Sequence, residues 1–345
     1  VHRILPFAVL LAAVLVVAAA CSDDGSDPAT TTQPPATTQP TVAEPTTRDP
    51  ETAPPTTVTT TTAPLTVPPT TAPMTPAPTT TGDSPSNPAT ASEDTVTITV
   101  DGADRRYNLF VPGGLPAGPA ALVVDMHGAL STPEDHDSLS GMQDKAASAG
   151  FVVAQPAGLF RSWEIITGNG NDVDFIRAVV ADVQDRTAID PDRIYAVGMS
   201  NGGGMAERLG CVASDLFAAV AGVAGWYVDA VECDTRPVPL VAFHGTMDLV
   251  VPYDGTGPLF TPIQAWAGRW AARNGCGPDP DVDRATVDVT AQTWQGCDAD
   301  TMLYTVEGGN HGWPGTDDPL GSLVTTDTIN ATDLIWEFFT THPKG

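Results

Sequence analysis

Between Thr95 and Thr341, short apolar runs alternate with stretches of helical length, and this alternation limits the fold more than any other feature of the chain. TVTITVDG (95–102) and RRYNLFV (105–111) each alternate apolar and polar residues, the pattern of an opening hairpin. ALVVDMHG (121–128) is a short continuous apolar run, the mark of a parallel strand buried on both faces. Further strands are expected at 151–156, 193–198, 218–225, 238–245 and 301–307. Helices are expected at 138–149, 173–187, 201–210, 262–274 and 327–341. Strands that alternate with helices imply an α/β class, with a doubly wound, mostly parallel sheet. Ligands of such sheets bind outside the carboxyl ends of the strands.

The chain ahead of this region has little to fold with. From Pro28 to about Asp94 it is mostly Thr, Pro and Ala, with no hydrophobic period. Such a segment cannot bury enough surface to offset its ordering entropy, so 22–94 reads as a disordered, extended linker. A length of 345 residues would allow two domains, yet composition supports one, over 95–345. Residues 1–21 have a short basic start (His2, Arg3), an apolar run from Ile4 to Ala20, and then Cys21 before Ser22-Asp23-Asp24. This is the shape of an export signal. It resembles a bacterial lipoprotein signal in which Cys21 is lipidated, although Ala18 stands where a larger aliphatic residue is usual. Cleavage after Ala18-Ala19-Ala20 with soluble release, and an uncleaved anchor, are the other readings. A lipid on Cys21 would be the sole contact with membrane.

The formal net charge is −27, from 42 acidic and 15 basic residues. A surface of that sign repels phosphate backbones and anionic headgroups, which argues against nucleic-acid binding.

The chemistry concentrates at strand ends. RIYAVG runs into Met199-Ser200-Asn201-Gly202 and then a helical stretch. Gly-x-Ser-x-Gly between strand and helix holds a serine on a sharp, strained turn with its hydroxyl clear of the sheet. The following helix N-terminus aims N–H groups at developing negative charge. An alkyl hydroxyl needs a base to take its proton, and histidine suits that near neutral pH. Of six histidines, His2 and His342 lie near the ends of the chain, and His136 sits between Asp135 and Asp137 in what reads as a solvated loop. His127 and His244 end apolar strands, and His127 reads as structural. His311, in a glycine-rich loop after the last strand, fits the base. Asp248, just past the strand that ends at Gly245, fits the acid, with Asp229, Asp234 and Asp254 as rivals. The amide of Ala129 or Leu130, with that of Asn201, fits an oxyanion hole.

Four stretches together carry a resemblance: DMHGA (125–129), GMSNGGGM (198–205), HGTMDLVVPYDG (244–255) and GGNHGWPG (308–315). They look like the secreted polyhydroxybutyrate depolymerase and feruloyl esterase family, which is similar to carbohydrate esterase family one. The resemblance spans roughly 95–342. It implies an α/β-hydrolase fold, a Ser200–Asp248–His311 triad and ester hydrolysis through an acyl-enzyme. The oxyanion loop departs from the family's usual glycine-rich form, reading Ala129-Leu130-Ser131. Nearness and the resemblance together pair Cys211 with Cys233 and Cys276 with Cys297, although four cysteines allow three connectivities. With Cys21 lipidated, that pairing uses all five cysteines.

Trp163 and Trp313 flank the expected cleft, where a sugar or aromatic acyl group could stack; ordinary packing is the competing reading. Gly168 to Asp174 is rich in Asn and Asp but does not fit a calcium loop, so an aspartate helix cap is the preferred reading. No metal or other cofactor is expected. The partner expected is an ester substrate, derived from polysaccharide or polyester, met outside the cell. A serine peptidase of the same fold and a non-catalytic surface binding protein are the alternative functions.

Overall fold

The structure, a computed structural model, describes residues 90–166, 171–228, 233, 236–316 and 325–345. Cys21, most of the Thr/Pro-rich segment, Gly168–Gly170, Asp229 and Asp234 lie outside the described residues.

Ten strands form one sheet: β1 (Ser92–Val100), β2 (Ala103–Val111), β3 (Ala120–Met126), β4 (Val152–Pro156), β5 (Ile189–Met199), β6 (Ala219–Val223), β7 (Leu240–Gly245), β8 (Pro280–Arg284), β9 (Val289–Trp294) and β10 (Thr301–Val306). Their order is β1-β2-β4-β3-β5-β6-β7-β10-β9-β8. The six central strands, β4 through β10, are parallel, and an antiparallel hairpin closes each edge. Six helices are described: α1 (Pro133–Ser140), α2 (Met142–Ala149), α3 (Asn171–Arg186), α4 (Asn201–Val212), α5 (Ile263–Arg273) and α6 (Ala331–Thr341).

Strand residues point alternately to the two faces, so the buried strand β3 feeds two cores at once. Leu122, Val124 and Met126 pack with α3, α4 and α5, whereas Ala121 and Val123 pack with α2 and α6. This is the doubly wound α/β-hydrolase arrangement expected from the sequence.

The structure departs from the expected elements in a few places. The stretch 138–149 is two helices, because Gly141 adopts φ 60° and closes α1 with its amide on the Asp137 carbonyl. The last helix begins at Ala331, where the Asn330 side chain caps the Asp333 amide. The hairpin β8–β9 was not anticipated: PDVDR lies almost wholly exposed on the sheet edge, so it carries no apolar alternation.

Two polar residues also differ from expectation. His136 is not solvated. It lies in α1, 2% exposed, with Nε2 2.7 Å from Asp125 Oδ1. Asp125 also accepts from Ser140 Oγ and Gln155 Nε2, so one carboxylate on β3 ties α1 to β4. Asp172 does not cap a helix. It sits within the first turn of α3, buried, where its carboxylate takes the Arg105 guanidinium at 2.8 Å and the Glu164 amide at 2.8 Å. In both cases an apparently polar stretch hides a residue whose partner is distant in sequence.

Both disulfides close as anticipated, Cys211–Cys233 and Cys276–Cys297.

Removing one member of a buried, mutually hydrogen-bonded network strands the others. Asp125→Ala is therefore expected to cost about 3–5 kcal/mol of stability. A urea denaturation midpoint equal to that of the wild type would contradict this account.

Candidate active site

β5 ends at Met199 and α4 begins at Asn201, leaving Ser200 alone on the turn between them. Its φ is 57° and ψ −120°, a conformation that an L-residue holds only under constraint. The constraint is visible. The Ser200 amide donates to the Val223 carbonyl at 2.9 Å, and the Ser200 carbonyl accepts from the Gly204 and Trp226 amides. As N-cap of α4, Ser200 makes no side-chain capping bond, so its hydroxyl is not spent on the helix. Gly202 explains how close this turn can come to β3: a Cβ there would strike the Met126 carbonyl oxygen and lie 2.6 Å from that of His127. Five of the six described non-glycine residues with positive φ lie at this edge of the sheet: Leu130, Phe160, Arg161, Ser200 and Ala224. The sixth, Asp101, is in the β1–β2 turn.

Asp248 and His311 meet. His311 Nδ1 lies 2.8 Å from Asp248 Oδ2, bringing together residues 63 apart in sequence. Backbone bonds stitch their two loops: Thr246 N to Val306 O, Met247 N to Gly309 O, and Gly308 N to the Thr246 hydroxyl. Asp248 is 3% exposed, and its Oδ1 accepts the Val250 and Val251 amides, each at 2.8 Å. Of its rivals, Asp254 is exposed.

A second histidine also touches this acid. His244 Nε2 lies 3.3 Å from Asp248 Oδ2 and 2.9 Å from the Val251 carbonyl, which an N–H must approach as donor. His244 is fully buried, and its Nδ1 has no hydrogen-bond partner. It therefore has no ring atom to offer a substrate, whereas His311 keeps its side chain 12% exposed. Burial disfavours ionised Asp248, but the hydrogen bonds from His244 and His311 outweigh it and hold the carboxyl well below the usual carboxylate range. In the sequence, His244 stands out only as a strand-end residue. Its spacing of four from Asp248 was the available signal.

The loop after β3 lies against the serine: a Cβ on Gly128 would be 3.4 Å from that of Ser200. The Leu130 amide is committed to the Arg161 carbonyl at 2.7 Å, which leaves the Ala129 amide as the better of the two candidates. Asn201 is 3% exposed, and its side chain is fully engaged. Its Oδ1 accepts the Trp163 amide at 2.6 Å and the Ser162 hydroxyl at 3.1 Å, and its Nδ2 donates to the Trp163 carbonyl. His127 is structural, as expected. Its Nε2 accepts the Gly158 amide at 2.9 Å, and its Nδ1 faces the Gly128 carbonyl, so the ring is neutral with the proton on Nδ1.

The two tryptophans are a correction. Trp163 is 3% exposed and packs behind the site, with its indole N–H on the His127 carbonyl. Trp313 is fully buried, with its N–H on the Thr332 hydroxyl. Neither presents a ring face to a ligand, because each anchors its loop into the core. Among the described residues, no cluster of His, Cys, Asp and Glu is arranged to hold a metal.

Burial lowers the pKa of His127 to about 4. Its unfolded value is about 6.5, so the native state binds fewer protons between these limits. This contribution to stability is complete above about pH 6.5 and is lost as pH falls toward 4, on the order of 3 kcal/mol in all. His127→Gln should flatten stability against pH between about 7 and 4. Urea titrations of the variant with the wild-type slope would contradict the assignment.

No protein-family model matches the chain. It is 31% identical over 278 residues to NocK of Nocardia uniformis subsp. tsuyamanensis, an esterase by name, across 71% of this chain and 80% of NocK. It is 29% identical over 264 residues to feruloyl esterase C of Emericella nidulans, across 74% of this chain and 91% of that enzyme. The solved structure of an acetyl xylan esterase from Aspergillus awamori aligns with a TM-score of 0.55 at 17% identity. That match covers 72% of this chain and 99% of the other, and it shows a common fold. On this likeness the chain belongs to the feruloyl esterase family of α/β-hydrolases and is a carboxylic ester hydrolase.

Proposed function

We propose that Ser200, Asp248 and His311 hydrolyse the ester through an acyl-enzyme, with the amides of Ala129 and Asn201 as the oxyanion hole. The observation that carries this is the Asp248–His311 hydrogen bond, which leaves His311 Nε2 free for a serine proton. His311 takes the Ser200 proton as the hydroxyl oxygen bonds to the ester carbonyl carbon. The carbonyl oxygen becomes an oxyanion held by the two amides. The intermediate collapses, the alcohol leaves with the proton from His311, and water repeats the sequence to release the acid. Asp248 holds the imidazole in the Nδ1–H tautomer throughout and stabilises the imidazolium.

The substrates proposed are feruloyl or acetyl esters on polysaccharide, or polyhydroxyalkanoate-type esters, since relatives carry the first activity in their names. The setting proposed is outside the cell. Two disulfides favour an oxidising compartment and leave Cys21 outside either bridge, which supports its role as a lipid attachment site.

On a panel of p-nitrophenyl esters, methyl ferulate, acetylated xylan, polyhydroxybutyrate and peptide amides, turnover of at least one ester should fall about 10³-fold or more in Ser200→Ala. Ester turnover that survives this substitution would overturn the assignment, and Ser200-dependent cleavage of the amides alone would favour a peptidase. His244→Leu should lower kcat on the same ester, because Asp248 loses a donor that holds its carboxylate in place. An unchanged kcat would confine His244 to packing.

A further inference from the structure

We propose that Arg161 is a positioning residue of the oxyanion loop, gripping it at two points so that the Ala129 amide keeps its place. The inference rests on the proposed Ser200 site and adds to it a residue that acts through the loop rather than on the substrate.

The loop needs such a grip. Gly128 to Ser131 form a β-turn, closed by the Ser131 amide on the Gly128 carbonyl at 3.2 Å. Leu130, its third residue, takes φ 65°, whereas Ala129 is not among the residues with positive φ. That combination is a type II turn, whose third position is the place for glycine. A leucine there crowds the backbone and draws the turn toward type I. The change would rotate the Ala129–Leu130 peptide, and with it the residue that carries the proposed oxyanion donor. Something outside the turn must oppose that rotation.

Arg161 opposes it with two groups. Its carbonyl accepts the Leu130 amide at 2.7 Å, so the peptide cannot rotate without losing that bond. Its Nε donates to the Ser131 carbonyl at 3.2 Å and ties down the fourth residue of the turn. The donor is charged, which strengthens the bond over a neutral one. The first residue is held separately, with Gly128 packed against Ser200 and its carbonyl on the His127 ring. Arg161 itself stands on a strained, well-anchored backbone. Phe160 and Arg161 take φ values of 53° and 60° in succession, and from there both the carbonyl and the side chain of Arg161 reach the same loop. Non-glycine residues persist in this region when the surroundings over-determine them. Here the Gly158 amide is bound to His127 Nε2, and Asn201 holds Ser162 and Trp163, which fixes both flanks of Arg161. The guanidinium also lies 3.6 Å from Asp135 Oδ2, but both side chains are more than half exposed, so this ion pair contributes little. The hydrogen bond to Ser131, rather than the charge, is the part of the side chain that holds the loop.

The test uses the full chain with p-nitrophenyl acetate. Glutamine carries an N–H donor at the stem position of arginine Nε, whereas methionine fills the same length with no donor. Arg161→Met should lower kcat about 10-fold and leave KM within about twofold, because a displaced oxyanion donor is felt in the transition state. Arg161→Gln keeps the Ser131 bond without the charge and should hold kcat within about threefold of the wild type. Asp135→Asn should alter neither constant by more than about twofold. Amide hydrogen exchange provides a readout that needs no turnover. Peptides covering 127–132 should exchange faster in Arg161→Met but not in Arg161→Gln, with the rest of the catalytic domain unchanged. Wild-type kcat and exchange in Arg161→Met, equal losses in the Met and Gln variants, or a loss confined to KM would overturn the proposal. Absence of Ser200-dependent turnover of any ester would count against the proposed chemistry instead, and the exchange arm would still decide whether Arg161 holds the loop.

Discussion

The approach of the Ser200 turn to the end of β3 is the constraint on which the rest of the site depends. Gly202 admits the carbonyls of Met126 and His127 where any Cβ would collide, and Gly198 admits the Gly202 backbone in the same way. That contact brings the start of α4 against the loop that leaves β3. The proposed oxyanion hole, from the amides of Ala129 and Asn201, depends on that approach. The strained φ of Ser200 follows from the same closure, since the turn must reverse within one residue and still satisfy its amide on Val223. The proposed nucleophile and the proposed oxyanion donors are therefore fixed by one packing event between two strands.

The proposed acid and base are fixed differently. Their loops follow β7 and β10, which are neighbours in the sheet, and backbone bonds join them before any side chain acts. Asp248 then has every acceptor position engaged: two amides on one oxygen and two imidazoles on the other. A carboxylate so fully satisfied stays ionised despite burial, because the favourable hydrogen bonds exceed the desolvation cost. His244 contributes to this from beneath the site, and His311 from the accessible side. The pair shows how one carboxylate can address two histidines while only one remains open to a substrate.

Behind these loops lies a second layer that keeps them still. Trp163 pins the turn carrying Phe160, and Trp313, two residues past His311, pins the base loop through Thr332. Thr332 in turn bonds the Ser140 carbonyl, and Ser140 bonds Asp125 on β3. A continuous buried chain of contacts thus runs from the strand before the oxyanion loop to the loop that holds the base. The strain stored at Ser200, Leu130, Phe160 and Arg161 is sustained by that layer.

Much of this was legible in the sequence. The alternation of apolar runs and helical stretches determined the α/β class, because burial on both faces leaves a distinct mark on a strand. Gly198-Met199-Ser200-Asn201-Gly202, Asp248 and His311 stood out as candidates because each follows a buried strand in an order the proposed chemistry requires, and the structure adds the Asp248–His311 contact. The tertiary structure decided what sequence spacing cannot encode. Trp163 and Trp313 look alike as loop tryptophans whether they face a ligand or the core, and only packing shows that both are buried. His136 and Asp172 sit in polar surroundings along the chain, yet each is buried against a partner brought in by the fold, Asp125 and Arg105. The hairpin of β8 and β9 left no apolar pattern because its outer strand faces water.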